Sequence, residues 1–118
     1  DAAVACRTAI SLGMETSDNY LSMGVALQEL GQADDAIAAY QRAIDLAPDC
    51  ADAWSNLGVV LLEQTLHDKA INAFRRAAAL NPSHPHAFAN LSIALHERGD
   101  DEQAAQCFEQ AVRLNPDD

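Results

Sequence analysis

Residues 54–61 read Trp-Ser-Asn-Leu-Gly-Val-Val-Leu, and they are followed by Ala70, Phe74 and Pro82. Trp54, Leu57, Gly58 and Leu61 stand at i, i+3, i+4 and i+7, which places them on one face of a helix. Ala70, Phe74, Ala77 and Ala78 do the same for a second helix after a short polar break. Thirty-four residues upstream and downstream the same columns return. Tyr20, Trp54 and Phe88 share one, and Met23, Leu57 and Leu91 the next. Gly24 and Gly58 align with Ser92, which departs. Leu27, Leu61 and Leu95 follow, then Ala36, Ala70 and Ala104, then Tyr40, Phe74 and Phe108, then Pro48, Pro82 and Pro116. One helical hairpin is thus written three times, over 17–50, 51–84 and 85–118. Repeats of this length without insertion stack side by side. A stack presents a long inner surface, the usual place for binding another chain.

The residues between the helices agree with this reading. Gly31 and Gly99 end the first helix of a unit where a left-handed residue is wanted. Thr65 holds that place in the middle unit, so its turn is expected to be strained or closed differently. Pro48, Pro82 and Pro116 stop the second helices, and Pro85 suits the first position of the next one. Asp34, Asp35, Asp68, Asp100, Asp101 and Glu102 crowd the entrances of second helices, while Arg42, Arg75, Arg76 and Arg113 lie beyond their middles, an order that suits the helix dipole. Gly24 and Gly58 pair with Ala36 and Ala70 to let two helices approach closely. Ser92 is expected to bond back to a carbonyl of its own helix and to loosen the third pair.

The pattern Trp54-x2-Leu57-Gly58-x2-Leu61, Ala70-x3-Phe74, Pro82 resembles the tetratricopeptide repeat, and the resemblance covers all of 17–118. It implies an all-α, right-handed solenoid of antiparallel helix pairs. Shifting by one more period places Ala2, Ala9 and Leu12 on Ala36, Ala43 and Leu46, so residues 1–16 are expected to form the second helix of a preceding unit. The expected total is seven helices in one domain, 1–118, cut from a longer array.

Composition narrows the function. Eighteen acidic residues against seven basic ones give a net charge of −11, which argues against nucleic acid and anionic membranes as partners. No stretch approaches the roughly 18 apolar residues of a membrane span. Cys6, Cys50 and Cys107 occupy unrelated columns, as expected of free thiols in a reducing, cytoplasmic setting. His84, His86 and His96 lack the i, i+4 spacing of helical metal ligands; a solvated turn and a groove-lining side chain account for them. No nucleophile motif or phosphate loop is present, so neither catalysis nor a cofactor is expected.

The inner surface remains. With the aromatic and leucine columns turned into the stack, the adjacent columns of the first helices face the groove. These are Leu21/Ser55/Ala89, Ser22/Asn56/Asn90, Val25/Val59/Ile93, Gln28/Leu62/His96 and Glu29/Glu63/Glu97. The valine–isoleucine column supplies an apolar stripe. Asn56 and Asn90 each offer donor and acceptor to a peptide backbone. The glutamate column selects against acidic ligands.

Two family resemblances refine this expectation. The Asn56–Asn90 column is similar to that of the tetratricopeptide arm of O-linked N-acetylglucosamine transferases, where such amides grip an extended substrate; Ser22 breaks the match. Domains of the family that bind chaperone tails hold a terminal carboxylate with Lys, Asn and Arg, and here only Asn56 agrees. The expected function is therefore a non-catalytic interaction module for a neutral-to-basic peptide, or the recruiting arm of a larger enzyme, or a self-associating scaffold. End-to-end association would use Val4, Cys6 and Ile10 at one end and Cys107, Phe108, Ala111 and Val112 at the other.

Overall fold

The computed structural model describes residue 8, residues 11–84 and residues 86–114. Six helices fill them: α1 (Ser17–Glu29), α2 (Ala33–Leu46), α3 (Ala51–Glu63), α4 (His67–Leu80), α5 (Ala87–Arg98) and α6 (Asp101–Leu114). The seventh expected helix is not among them; it was placed over 1–16, and residues 1–7, 9 and 10 lie outside the described residues. So does Pro85. The described residues contain no strand.

Each helix packs on its successor, and α3 also touches the two other first helices, α1 and α5. Consecutive pairing through short turns makes three hairpins, and the side contacts line the first helices up as one wall. The stack measures 48 × 25 × 24 Å with a radius of gyration of 14.7 Å. A compact domain of this length would have about 13.5 Å, so the chain is drawn out along the stacking axis.

All three intra-hairpin turns use one device. Gln32 N–H bonds the Leu27 carbonyl (2.9 Å) while Gly31 N–H bonds Gln28 (3.0 Å). Leu66 to Leu61 with Thr65 to Leu62, and Asp100 to Leu95 with Gly99 to His96, repeat it. This crossed pair satisfies carbonyls that a helix end leaves open, and it requires a left-handed residue. Gly31 and Gly99 supply φ of 77° and 100°, and Thr65 adopts φ 60°. Of the two outcomes expected for Thr65, the structure shows strain: the turn closes as its neighbours do. Second helices end ahead of proline, with Ala47 and Asn81 as the last capping residues of α2 and α4.

The core runs without interruption through the units. Leu27, Tyr40, Leu57, Val60, Leu61, Phe74, Leu91 and Leu95 belong to one buried cluster. Glycine sets its closest contacts. A Cβ at Gly24 would lie 2.5 Å from the Tyr40 ring, and one at Gly58 would lie 2.5 Å from the Phe74 ring. No carbon can sit there, so each aromatic ring lies directly on the backbone of the facing helix and is fully buried. In the third hairpin Ser92 occupies the glycine position and Phe108 is 59% exposed. The Ser92 hydroxyl donates to the Ala104 carbonyl at 2.8 Å. That carbonyl belongs to α6, not to the helix of Ser92 as expected; at this close crossing the facing backbone is nearer than the preceding turn.

Polar ties join the units along the outer edge. Arg98 bonds Asp68 (2.7 Å) and, within its own unit, Asp100; His67 lies 3.5 Å from Glu97. No helix among the described residues is long and apolar enough to cross a membrane.

Candidate functional site

The wall built by α1, α3 and the start of α5 encloses an open concavity of about 520 Å³. Its lining includes seven of the residues expected in the groove or flanking it: Leu21, Ser22, Val25, Ser55, Asn56, Val59 and Asn90. Of these Ser55 is almost entirely buried. Val25 is exposed and Leu21 and Val59 are half-buried, so one side of the concavity is apolar. Asn56 and Asn90 are half-buried and open onto the same space from neighbouring helices.

The remaining expected residues lie outside this concavity. Leu62 packs against the core cluster. Ile93 is 49% exposed, and Ala89 is half-buried. His96 sits at the C-terminal end of α5, where its Nδ1 pairs with Asp101 at 2.6 Å on the surface. Glu97 faces His67, and Glu29 is exposed at the end of α1. Gln28 and Glu63 join a network that crosses between units: the Tyr40 hydroxyl donates to Gln28 Oε1 (2.8 Å), and Gln28 Nε2 donates to Glu63 Oε1 (3.2 Å). Burial, with smaller contributions from the charges of Glu63 and Glu29, pushes the Tyr40 hydroxyl up to about 12.

Three residues that sequence reasoning left out of the groove complete its floor: Asp52, His84 and His86. His84 was expected in a solvated turn, but it is buried, and its Nε2 lies 2.8 Å from Asp52 Oδ1. Its Nδ1 accepts the His86 backbone N–H at 3.3 Å. This arrangement suits the tautomer with its proton on Nε2, directed at the Asp52 carboxylate. The signal for this floor was available. Asp52 and His86 stand four residues before Asn56 and Asn90, so they continue the amide face by one helical turn.

The charges around the concavity are one-sided. Among the described residues no lysine or arginine lines it. Arg42 lies over the Tyr20 ring and Arg76 over the Trp54 ring, each 5.8 Å from the centroid. Arg75 bonds Gln103, and Arg98 is engaged with Asp68 and Asp100. Reactive chemistry is weakly served. Cys50 and Cys107 are free thiols, and burial pushes the Cys107 thiol up, away from the reactive thiolate. Among the described residues no three histidine, cysteine or acidic side chains gather as metal ligands do.

Comparison with known proteins fits this geometry. Residues 21–74 and residues 49–117 each match a family profile described as tetratricopeptide repeat. No curated protein sequence matches the chain. Among solved structures, a crystal structure of the MamA protein superposes with a TM-score of 0.89 at 27% identity, covering 97% of this chain and 62% of that one. A second MamA crystal structure gives 0.84 at 24% identity, with 98% and 77% covered, and bears on the fold alone. YrrB, described as a TPR protein with an unusual peptide-binding site, gives 0.88 at 26% identity, covering 98% of this chain and 59% of that one. The chain thus spans about three fifths of the length of the first MamA structure and of YrrB.

Proposed function

Since the chain belongs to the tetratricopeptide repeat family, we propose that it is a non-catalytic interaction module whose concave groove holds a peptide segment of a partner protein. The observation that carries this reading is the pair of amides, Asn56 and Asn90, opening from adjacent units into one concavity with an apolar wall. An amide donates and accepts, so two of them one repeat apart can hold an extended backbone without reading its side chains. Leu21, Val25 and Val59 supply apolar area. Ile93, Leu62, His96, Glu63 and Glu97 belong to the outer reaches of the same surface, met by the flanks of a longer segment. The net charge of −11 favours neutral-to-basic ligands and repels nucleic acid and anionic lipid. Free Cys50 and Cys107 fit a cytoplasmic setting. YrrB supports the reading as a structural relative with a peptide-binding site.

The test is a peptide array probed with the chain and with the Asn56→Ala/Asn90→Ala variant. Each lost backbone bond is worth roughly 0.5–1.5 kcal/mol, so binding should fall while the melting temperature holds. A variant that melts earlier and binds as well would make the amides structural and end this reading.

Two further readings rest on specific features. The Asn56–Asn90 column resembles that of the recruiting arms of O-linked N-acetylglucosamine transferases, a match that Ser22 breaks, and the second reading is that a larger enzyme carries this chain as its substrate arm; a parent sequence without an enzyme domain would dismiss that. The other is self-association through α6, where Phe108, Val112 and Leu114 are 59%, 44% and 39% exposed and Cys107 and Ala111 are half-buried. The opposite face, with Val4, Cys6 and Ile10, lies outside the described residues. A monomeric mass by sedimentation at millimolar concentration would remove it.

A further inference from the structure

The floor of the concavity departs from the repeat in one place. Asp52 shares its column with Asp18 and His86, while His84 shares its column with Thr16 and Cys50. An aspartate held by a histidine of the loop that closes its own unit therefore occurs at one place among the described residues, where the second hairpin leads into the third. The stack does not need it, because Asp18 has only Cys50 at the equivalent place. Positions that break a repeat without serving its packing are where function is expected.

Asp52 is 71% exposed, yet one of its oxygens is fixed by the buried His84 ring. The ring is held at both nitrogens, by Asp52 and by the His86 N–H, and the carboxylate is fixed through Oδ1. Its second oxygen has no partner among the described residues, and no cation lines the surrounding space. The apolar side chains of Leu21, Val25 and Val59 line the same concavity. A fixed anion in one concavity with an aliphatic wall is complementary to one kind of side chain, a long hydrocarbon stem with a cationic head.

Resting on the groove reading above, we infer that this concavity is a specificity pocket for a lysine or arginine side chain of the bound segment. Asp52 receives the cation and His84 acts as a positioning residue that holds the carboxylate in place. The stem lies on Leu21, Val25 and Val59, while Asn56 and Asn90 hold the backbone on either side. Basic selectivity then arises from one placed carboxylate rather than from the glutamates at the ends of the first helices. Two of those are already engaged, Glu63 by Gln28 and Glu97 by His67.

Small probes isolate the pocket from the rest of the groove. N-acetyl-lysine methylamide and N-acetyl-norleucine methylamide share a stem and differ in the ammonium. Each is titrated into the isotope-labelled chain while the amide signals are followed by NMR. The lysine probe should shift the signals of Asp52, Asn56, Val59 and Asn90 and bind about fivefold more tightly than the norleucine probe, the scale of one ion pair at a half-open site. Asp52→Asn should abolish that preference at an unchanged melting temperature, since the side chain is largely exposed. Half-molar salt should weaken only the lysine probe. His84→Gln should reduce the ratio of the two affinities, a readout that packing alone would not move; if that variant fails to fold, Asp52→Asn still decides. Equal affinities, a preference that survives Asp52→Asn, or shifts confined to Glu29, Glu63 and Glu97 would each overturn the pocket. The peptide array with the asparagine variant reads the groove separately, so the pocket can fail while the groove stands.

Discussion

Two places in this chain lack the glycine that the repeat calls for, and the fold answers them in opposite ways. In the turn between α3 and α4, Thr65 replaces glycine and the backbone keeps its left-handed form, with φ 60° and both crossed hydrogen bonds in place. Between α5 and α6, Ser92 replaces glycine and the packing changes, with Phe108 59% exposed where Tyr40 and Phe74 are fully buried. The difference lies in what each glycine supplies. A turn of this length has one way to close, so a threonine there bears the strain of about 1–2 kcal/mol. A ring on a helix has an alternative, because it can leave. Tyr40 and Phe74, by contrast, share a cluster with leucines of the following unit.

The largest test of that contrast is truncation of the rings. Phe74→Ala removes a fully buried aromatic and should cost about 3–5 kcal/mol. Phe108→Ala should cost less than about 1 kcal/mol, because most of that ring already meets solvent. Denaturant melts of the two variants check this, and equal losses would break the comparison.

Next in size are the glycine positions themselves. Gly58→Ala sets a carbon 2.5 Å from a ring that cannot move away. Overpacking of about 1–3 kcal/mol should outweigh the roughly 1 kcal/mol that alanine gains in a helix. Ser92→Ala should lose only the bond to the Ala104 carbonyl, about 0.5–1.5 kcal/mol. A stabilised Gly58→Ala would mean that the Phe74 ring has room the structure denies it.

The turn offers a smaller effect of opposite sign. Thr65→Gly relieves the strain but raises the entropy of the unfolded chain by about 0.5–1 kcal/mol. A net gain between a few tenths and about 1 kcal/mol is expected, seen as a higher melting temperature. A lower one would show that the threonine hydroxyl, 2.6 Å from the Gln64 carbonyl, matters more than the backbone.

The last test leaves stability at neutral pH out of account. Tyr40 and Phe74 occupy one column, but only Tyr40 carries a hydroxyl, pushed from 10.0 up to about 12 by burial and then by Glu63 and Glu29. The folded chain therefore keeps a proton that the unfolded chain releases. This contribution is complete below pH 10 and is lost as pH rises toward 12. Stability followed through that window should fall less steeply in Tyr40→Phe, and an unchanged slope would place the loss elsewhere.

Much of the candidate groove was legible in residue order, and what was missed has a physical cause. Helix periodicity places Asn56, Val59 and Asn90 on one exposed face, because a repeat of fixed length carries the same column to the same side in every unit. It does not say which part of that face is concave. Ile93, His96 and Glu97 share columns with groove residues yet lie toward the far end of α5. There, His67 on α4 meets Glu97 and Asp101 on α6 meets His96. Asp52 and His84 were missed for the complementary reason. They are 32 residues apart and meet only because the loop after α4 folds back onto the first turn of α3, at the start of the same unit.

The sequence by itself determined the helical hairpins, their register, the left-handed turns and the columns of the core. Each of these follows from local spacing and from the stereochemistry of glycine and proline, and a repeat states such rules three times. Only the tertiary structure decided how the columns meet across units. It set Tyr40 and Phe74 on bare glycine backbone, linked Tyr40 to Glu63 through Gln28, sent the Ser92 hydroxyl to the facing helix, and brought His84 under Asp52. These contacts depend on distances between helices, which are fixed by packing and leave no trace in the period of the chain.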